Sequence, residues 1–152
     1  MKKITPFLWF DTNALDAAKF YVSVFKKSKI TNISRQGSKG AVMSVSFTLD
    51  GQNFIALNGG PHFSFSPAIS MYVNCETQSE VDAFWKKLSK GGVVRQCGWV
   101  QDKFGLTWQV VPSMLGKVLG GKNPAKSAAA MQAMLKMEKL NIKALQKAYD
   151  DA

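Results

Sequence analysis

Between Val42 and Leu49 the chain alternates without a break, with Met43, Val45, Phe47 and Leu49 on one side and Ser44, Ser46 and Thr48 on the other. A period of two predicts a strand with one buried face. Asp50-Gly51 follows as a hairpin pair, and Phe54–Asn58 forms the return strand. Upstream, Ile4–Phe10 predicts a short apolar strand. Asn13 then precedes a helix, with Asp16 near its positive end and Leu15, Ala18, Val22 and Phe25 as its stripe. Lys29–Arg35 adds a further strand. The order is strand, helix, three strands.

The same order returns. Ile69–Cys75 is a strand, and Thr77 to Glu80 (TQSE) matches a capping box opening a helix. Val81, Phe84, Trp85 and Leu88 form its stripe, and Gly91-Gly92 ends it. Val93–Gln96, Gly98–Gln101 and Leu106–Val111 complete the second set. In the last of these, Leu106, Trp108 and Val110 are expected to face the helix. Thr107 and Gln109 then face the opposite way, into a cleft formed when two such units lie side by side.

The expected class is α+β. Two paired βαβββ units form a curved mixed sheet around a cleft, as a single domain over 1–112 (units 1–60 and 67–112). A helical extension follows at 113–152. In the extension Ala128, Met131, Met134, Leu135 and Leu140 form an apolar band, continued by Ile142, Leu145 and Tyr149. Lys136, Lys139, Lys143 and Lys147 line the other side. That band predicts packing on its own domain or across a homodimer.

Composition narrows the function without fixing it. With 46% hydrophobic and 20% charged residues, the 152-residue chain is expected to fold around a real core. A net charge of +10 invites a nucleic-acid partner, but the lysines are dispersed and arginine occurs only at Arg35 and Arg95. Nucleic-acid binding is therefore not expected. No stretch approaches the roughly 20 apolar residues of a membrane helix, and Asp11 interrupts the basic-apolar start, so a cytoplasmic protein is expected. Cys75 and Cys97 lack metal-type spacing and predict no disulfide framework.

Several stretches together carry a family resemblance: "ITPFLWFD", "FYVSVF", "DGQNFIALNGGPHF", "CGWVQDKFGLTWQVVP" and "AAAMQAMLKMEKLNIKALQKAY". With the paired βαβββ order, the chain resembles the vicinal-oxygen-chelate superfamily of glyoxalases, bleomycin-resistance proteins and dioxygenases. Its PhnB-like branch, often labelled a 3-demethylubiquinone-9 3-methyltransferase domain, is the nearer likeness. The resemblance implies a glyoxalase/bleomycin-resistance fold, a homodimer, and a cleft metal held by His and Glu. The implied ligand positions fall on Gln109, on Ile55 or Leu57, near Pro6 or Phe7, and near Ala68 or Ser70. Neutral or apolar side chains there predict no tightly held divalent metal. No other cofactor is implied.

Candidate cleft residues are Gln109, Trp99, Asn58, His62, Cys97, Leu57 and Thr107, and no catalytic residue is assigned. Gln109 can donate and accept at once. Trp99 offers a flat apolar contact. Asn58 reaches the cleft mouth or caps a turn. His62, the only histidine, is a general base or a loop residue without chemistry, and Cys97 is a thiol nucleophile or a structural thiol. The expected role is metal-free binding of a small molecule. The alternatives are a lyase, isomerase or dioxygenase with an atypical metal site, or the methyltransferase of the label. No glycine-rich nucleotide loop supports the last.

Overall fold

The computed structural model describes residues 2–152, which fall into two compact units, the first ending at Phe65 and the second spanning Ser66–Ala152. The first contains β1 (Phe7–Phe10), α1 (Ala14–Val24), β2 (Lys29–Arg35), β3 (Val42–Leu49) and β4 (Gln52–Asn58). Its sheet runs β1-β4-β3-β2, with β1 parallel to β4 and the other neighbours antiparallel. The second contains β5 (Met71–Cys75), α2 (Gln78–Ser89), β6 (Val93–Val94), β7 (Trp99–Gln101) and β8 (Thr107–Pro112), in the matching order β5-β8-β7-β6. Three helices follow: α3 (Met114–Leu119), α4 (Pro124–Leu135) and α5 (Ile142–Asp150). This is the expected α+β class, with two mixed four-stranded βαβββ units and C-terminal helices.

The alternation in β3 holds, since Val45, Phe47 and Leu49 are buried beneath α1 and only Met43, at the strand's start, is exposed. The α1 stripe is shifted from the expected one. Ala14, Ala17, Ala18, Tyr21 and Val24 are buried, whereas Leu15 and Val22 are half-buried and Phe25 lies just past the helix. Small alanines let the helix sit close on the sheet, and the Tyr21 ring stacks on Phe47 at 6.3 Å. Asn13 precedes α1 but does not cap it through its side chain. The α1 N-terminus is capped instead from β4, where Asn58 Oδ1 accepts from Ala14 N–H at 2.8 Å.

On α2 the Thr77 hydroxyl accepts from Glu80 N–H at 3.2 Å, as a capping residue should. Val81 and Leu88 are fully buried, while Phe84 and Trp85 are only half-buried. The terminal strands are shorter than their apolar runs. Ile4 and Ile69 stand outside β1 and β5 and are exposed.

The extension packs on its own unit, with Met134, Leu140, Leu145 and Tyr149 of the expected band but not the rest of it. Ala130, Leu140 and Leu145 join Val111, Leu115 and Val118 in one buried cluster, with Met134, Met137 and Tyr149 against it. Ala128, Met131 and Leu135 face outward. The helix stops at Leu135, and Asn141 caps a new one by accepting from Ala144 N–H at 2.9 Å, so a single helical period does not cross that join. No helix among the described residues is long and apolar enough to cross a membrane.

Candidate functional site

Each sheet buries one face under its helix, and the opposite face carries the candidate chemistry. In the second unit Leu106, Trp108 and Val110 are buried as the β8 alternation requires. Gln109 points the other way and is half-buried. Strand register sets its neighbours: Tyr72 of β5 lies beside it on one flank and Trp99 of β7 on the other. Its Nε2 donates to Ser70 Oγ at 2.9 Å. The Oε1 has no protein donor among the described residues.

Beyond Trp99 the chain doubles back. Arg95 N–H donates to Trp99 O at 2.9 Å, and the Arg95 guanidinium donates to Gln101 Oε1 at 2.9 Å. Arg95 therefore occupies the same face as Trp99 and Gln101. The result is a row across the sheet of Tyr72, Gln109, Trp99 and Arg95. Tyr72 is 61% exposed. Sequence reasoning singled out Gln109 and Trp99 but missed Tyr72 and Arg95. The register that joins them is a long-range property with no local signature.

Thr107 shares the parity of Gln109, yet only 2% of it is exposed, so its hydroxyl is shielded from solvent. Cys97 sits at the turn into β7 with φ of 62°, half-buried, and its N–H is bonded to Met137 O at 2.8 Å. Cys75 is fully buried; burial, aided by the Glu80 carboxylate, pushes its thiol up to about 11.

The first unit's equivalent row is Phe7, Ile55, Ser46 and Asn32, by the same register logic. Leu57 lies beside Trp9 on this face. Asn58 is engaged at both ends, since Oδ1 caps α1 and Nδ2 donates to Val42 O at 3.0 Å. His62 is exposed in the connection after β4. There Trp9 Nε1 donates to Gly60 O at 2.9 Å and Phe63 meets the Trp9 ring edge-on at 5.0 Å. Leu57, Asn58 and His62 thus belong to the first unit; Gln109, Trp99, Cys97 and Thr107 belong to the second.

The register equates Phe7 with Tyr72, so neither Pro6 nor Phe7 is the counterpart of Ala68 or Ser70. A divalent metal does not fit either row. The second offers a neutral amide and hydroxyls, the first one amide and one hydroxyl beside two apolar side chains, and tight divalent sites are built on carboxylate, imidazole or thiolate donors. No group of three His, Cys, Asp or Glu side chains able to hold a metal occurs among the described residues. A wide-open depression of about 460 Å³ lies on the extension, lined by Met114, Ile142, Lys143, Lys147 and Asp151 among others. It shares no residue with the row, and we take the row, with its hydrogen-bonding and ring chemistry, as the candidate site.

Comparison with known proteins agrees with the architecture. Residues 2–111 match the family described as 3-demethylubiquinone-9 3-methyltransferase. A PhnB protein from Bacillus cereus is 36% identical, with 74% of this chain and 100% of that one aligned and a TM-score of 0.69. Protein PA1353 from Pseudomonas aeruginosa shares the fold at 18% identity, 74% and 98% coverage and a TM-score of 0.63. A fosfomycin resistance protein from Listeria monocytogenes does so at 11% identity, 71% and 90% coverage and a TM-score of 0.53. No curated protein sequence matches significantly. A family match over most of the chain and a relative above one-third identity lead to one conclusion: the chain belongs to the PhnB-like 3-demethylubiquinone-9 3-methyltransferase family.

Proposed function

We propose that the chain is a small-molecule binding protein whose guest lies on the Gln109 face of the second sheet. One observation carries this reading: Gln109 is held by Ser70 at 2.9 Å while its Oε1 stays available, and Trp99 is its register partner on the neighbouring strand. A fixed hydrogen-bonding group beside a flat aromatic is the usual way to orient a small ligand.

The family description names a methyltransferase, but the strand-to-helix connections here are Asp11–Asn13 and Glu76–Thr77, without glycine. The Ala14 N–H, at the start of α1, is already taken by Asn58. Neither feature favours a nucleotide-type cofactor at a helix N-terminus. The Listeria relative was solved with Mn(II); the donor set here disfavours such an ion.

A thermal-shift screen across neutral, cationic and anionic compounds tests the reading. At least one compound is expected to stabilise the protein and to lose its effect in Gln109→Leu. A screen in which every stabilising compound acts equally on Gln109→Leu would remove this site. Near-equimolar metal in protein purified without chelator, lost in Gln109→Ala, would instead favour a metal-dependent enzyme.

A further inference from the structure

We infer that the row selects a planar aromatic anion, oriented with its acidic group at Arg95 and a hydrogen-bond donor at Gln109. This rests on the binding reading above and adds the chemical class of the guest.

Arg95 carries an uncompensated charge. Arg95 forms no ion pair with a carboxylate among the described residues; its guanidinium is bonded to the neutral Gln101. Gln101 is itself anchored, because its Nε2 donates to Gly105 O at 3.3 Å. The fork is thus drawn onto the Trp99 strand and held there, with donors left over. Guanidinium donors match carboxylate geometry, and charge-assisted hydrogen bonds are the stronger kind.

The spacing suits a ring. Neighbouring strands lie about 4.8 Å apart, so the Gln109 and Arg95 backbones are separated by about 10 Å with Trp99 between them. A single arene over the indole would present one end to each. At the far end Gln109 uses its Nε2 on Ser70 and offers Oε1, an acceptor, so the guest must donate there. Donor, ring and anion follow in that order. The first unit's row has neither a cation nor a comparable ring at the equivalent positions, Asn32 and Ser46, which confines the inference to the second sheet.

The test titrates 4-hydroxybenzoate and its neutral match 4-hydroxybenzamide into the full chain. The readout is the indole N–H resonances, with Trp99 assigned through Trp99→Phe. The carboxylate is expected to shift the Trp99 signal and to bind about tenfold more tightly than the amide. That preference should vanish in Arg95→Gln and survive in Lys90→Gln, which removes another exposed cation of the same unit. Equal affinity for the two probes would overturn the anionic class while leaving a Gln109-dependent site intact. A preference retained in Arg95→Gln would also overturn it, showing diffuse attraction to a chain of net charge +10. So would the failure of both probes to move the Trp99 signal. The underlying site fails separately, when nothing in the broad screen depends on Gln109.

Discussion

Asp102 Oδ2 accepts a hydrogen bond from Trp108 Nε1 at 2.8 Å, inside a segment where Asp102 is only 3% exposed. The other carboxylate oxygen accepts from Phe104 N–H at 2.8 Å and Leu106 N–H at 3.1 Å. One side chain therefore closes the turn and fixes the indole on the core side of β8. With Trp108 pinned inward, Gln109 is left on the opposite face. The spacing of Asp102, Gly105, Trp108 and Gln109, which carried part of the family likeness, is explained as a folding device.

Asp102→Ala is expected to cost about 3 kcal/mol in urea unfolding, since it removes the acceptor of the indole and of two backbone donors. Asp102→Asn should not rescue it. Its amide would turn an NH2 toward either the indole N–H or the backbone pair, placing donor against donor. A fully stable Asp102→Asn would mean that the carboxylate's acceptors are dispensable.

Neighbouring residues of β8 should respond oppositely. Trp108→Ala empties a buried site and is expected to cost about 3–5 kcal/mol. Gln109→Leu removes a half-buried amide whose protein partner is a single serine, and stability should stay within about 1 kcal/mol. Equilibrium unfolding of both variants checks the face assignment independently of any ligand.

The parity of β3 and β8 was legible because each strand fills one face with large side chains. The α1 stripe was less so. Leu15 and Val22 drew the reading, whereas the buried face is built from alanines and from Tyr21, whose phenol end disguises a fully buried ring. Asn58 was ambiguous for another reason. Its partner, Ala14, is 44 residues away, and a cap supplied across a sheet leaves no local pattern. The candidate site divides the same way. Gln109 is conspicuous in its own strand, while Arg95 acquires meaning only once β6 and β7 are paired.

Cys75 gives a pH prediction. Its thiol is raised from 9.0 to about 11, first by burial and then by the Glu80 carboxylate. The folded state holds the proton over a range in which the unfolded chain loses it. Stability is therefore complete below about pH 9 and falls as the pH rises toward 11, by about 1.4 kcal/mol per unit at most from this group. The useful quantity is the difference from Cys75→Ala, in which contributions from the rest of the chain cancel. Urea midpoints at pH 8 and pH 10 should show the smaller decline in the variant. Identical declines would mean that the thiol contributes nothing.

The C-terminal extension lies outside the matched family segment, which ends at residue 111, yet it is bonded into the second sheet. Met137 O and Glu138 O accept from Cys97 N–H and Gly98 N–H, both at 2.8 Å, immediately before Trp99. Gln78 holds the same stretch from α2, donating to Leu140 O at 3.1 Å and accepting from Ile142 N–H at 2.8 Å. Gly98 is indispensable to the join. Its φ is +81°, and a Cβ there would lie 2.8 Å from Val110 O and 3.1 Å from the Leu140 side chain. Gly98→Ala is expected to cost at least about 2 kcal/mol and to speed amide exchange at Cys97. Leu140→Ala should cost about 2–5 kcal/mol by emptying the extension's core. Leu135→Ala, on the outward face of α4, should change stability by less than about 0.5 kcal/mol. If Gly98→Ala and Leu140→Ala left exchange at Cys97 unchanged, the extension would merely lie against the sheet. Faster exchange in both, with Leu135→Ala silent, would mean that this added segment sets the turn from which Trp99 is presented.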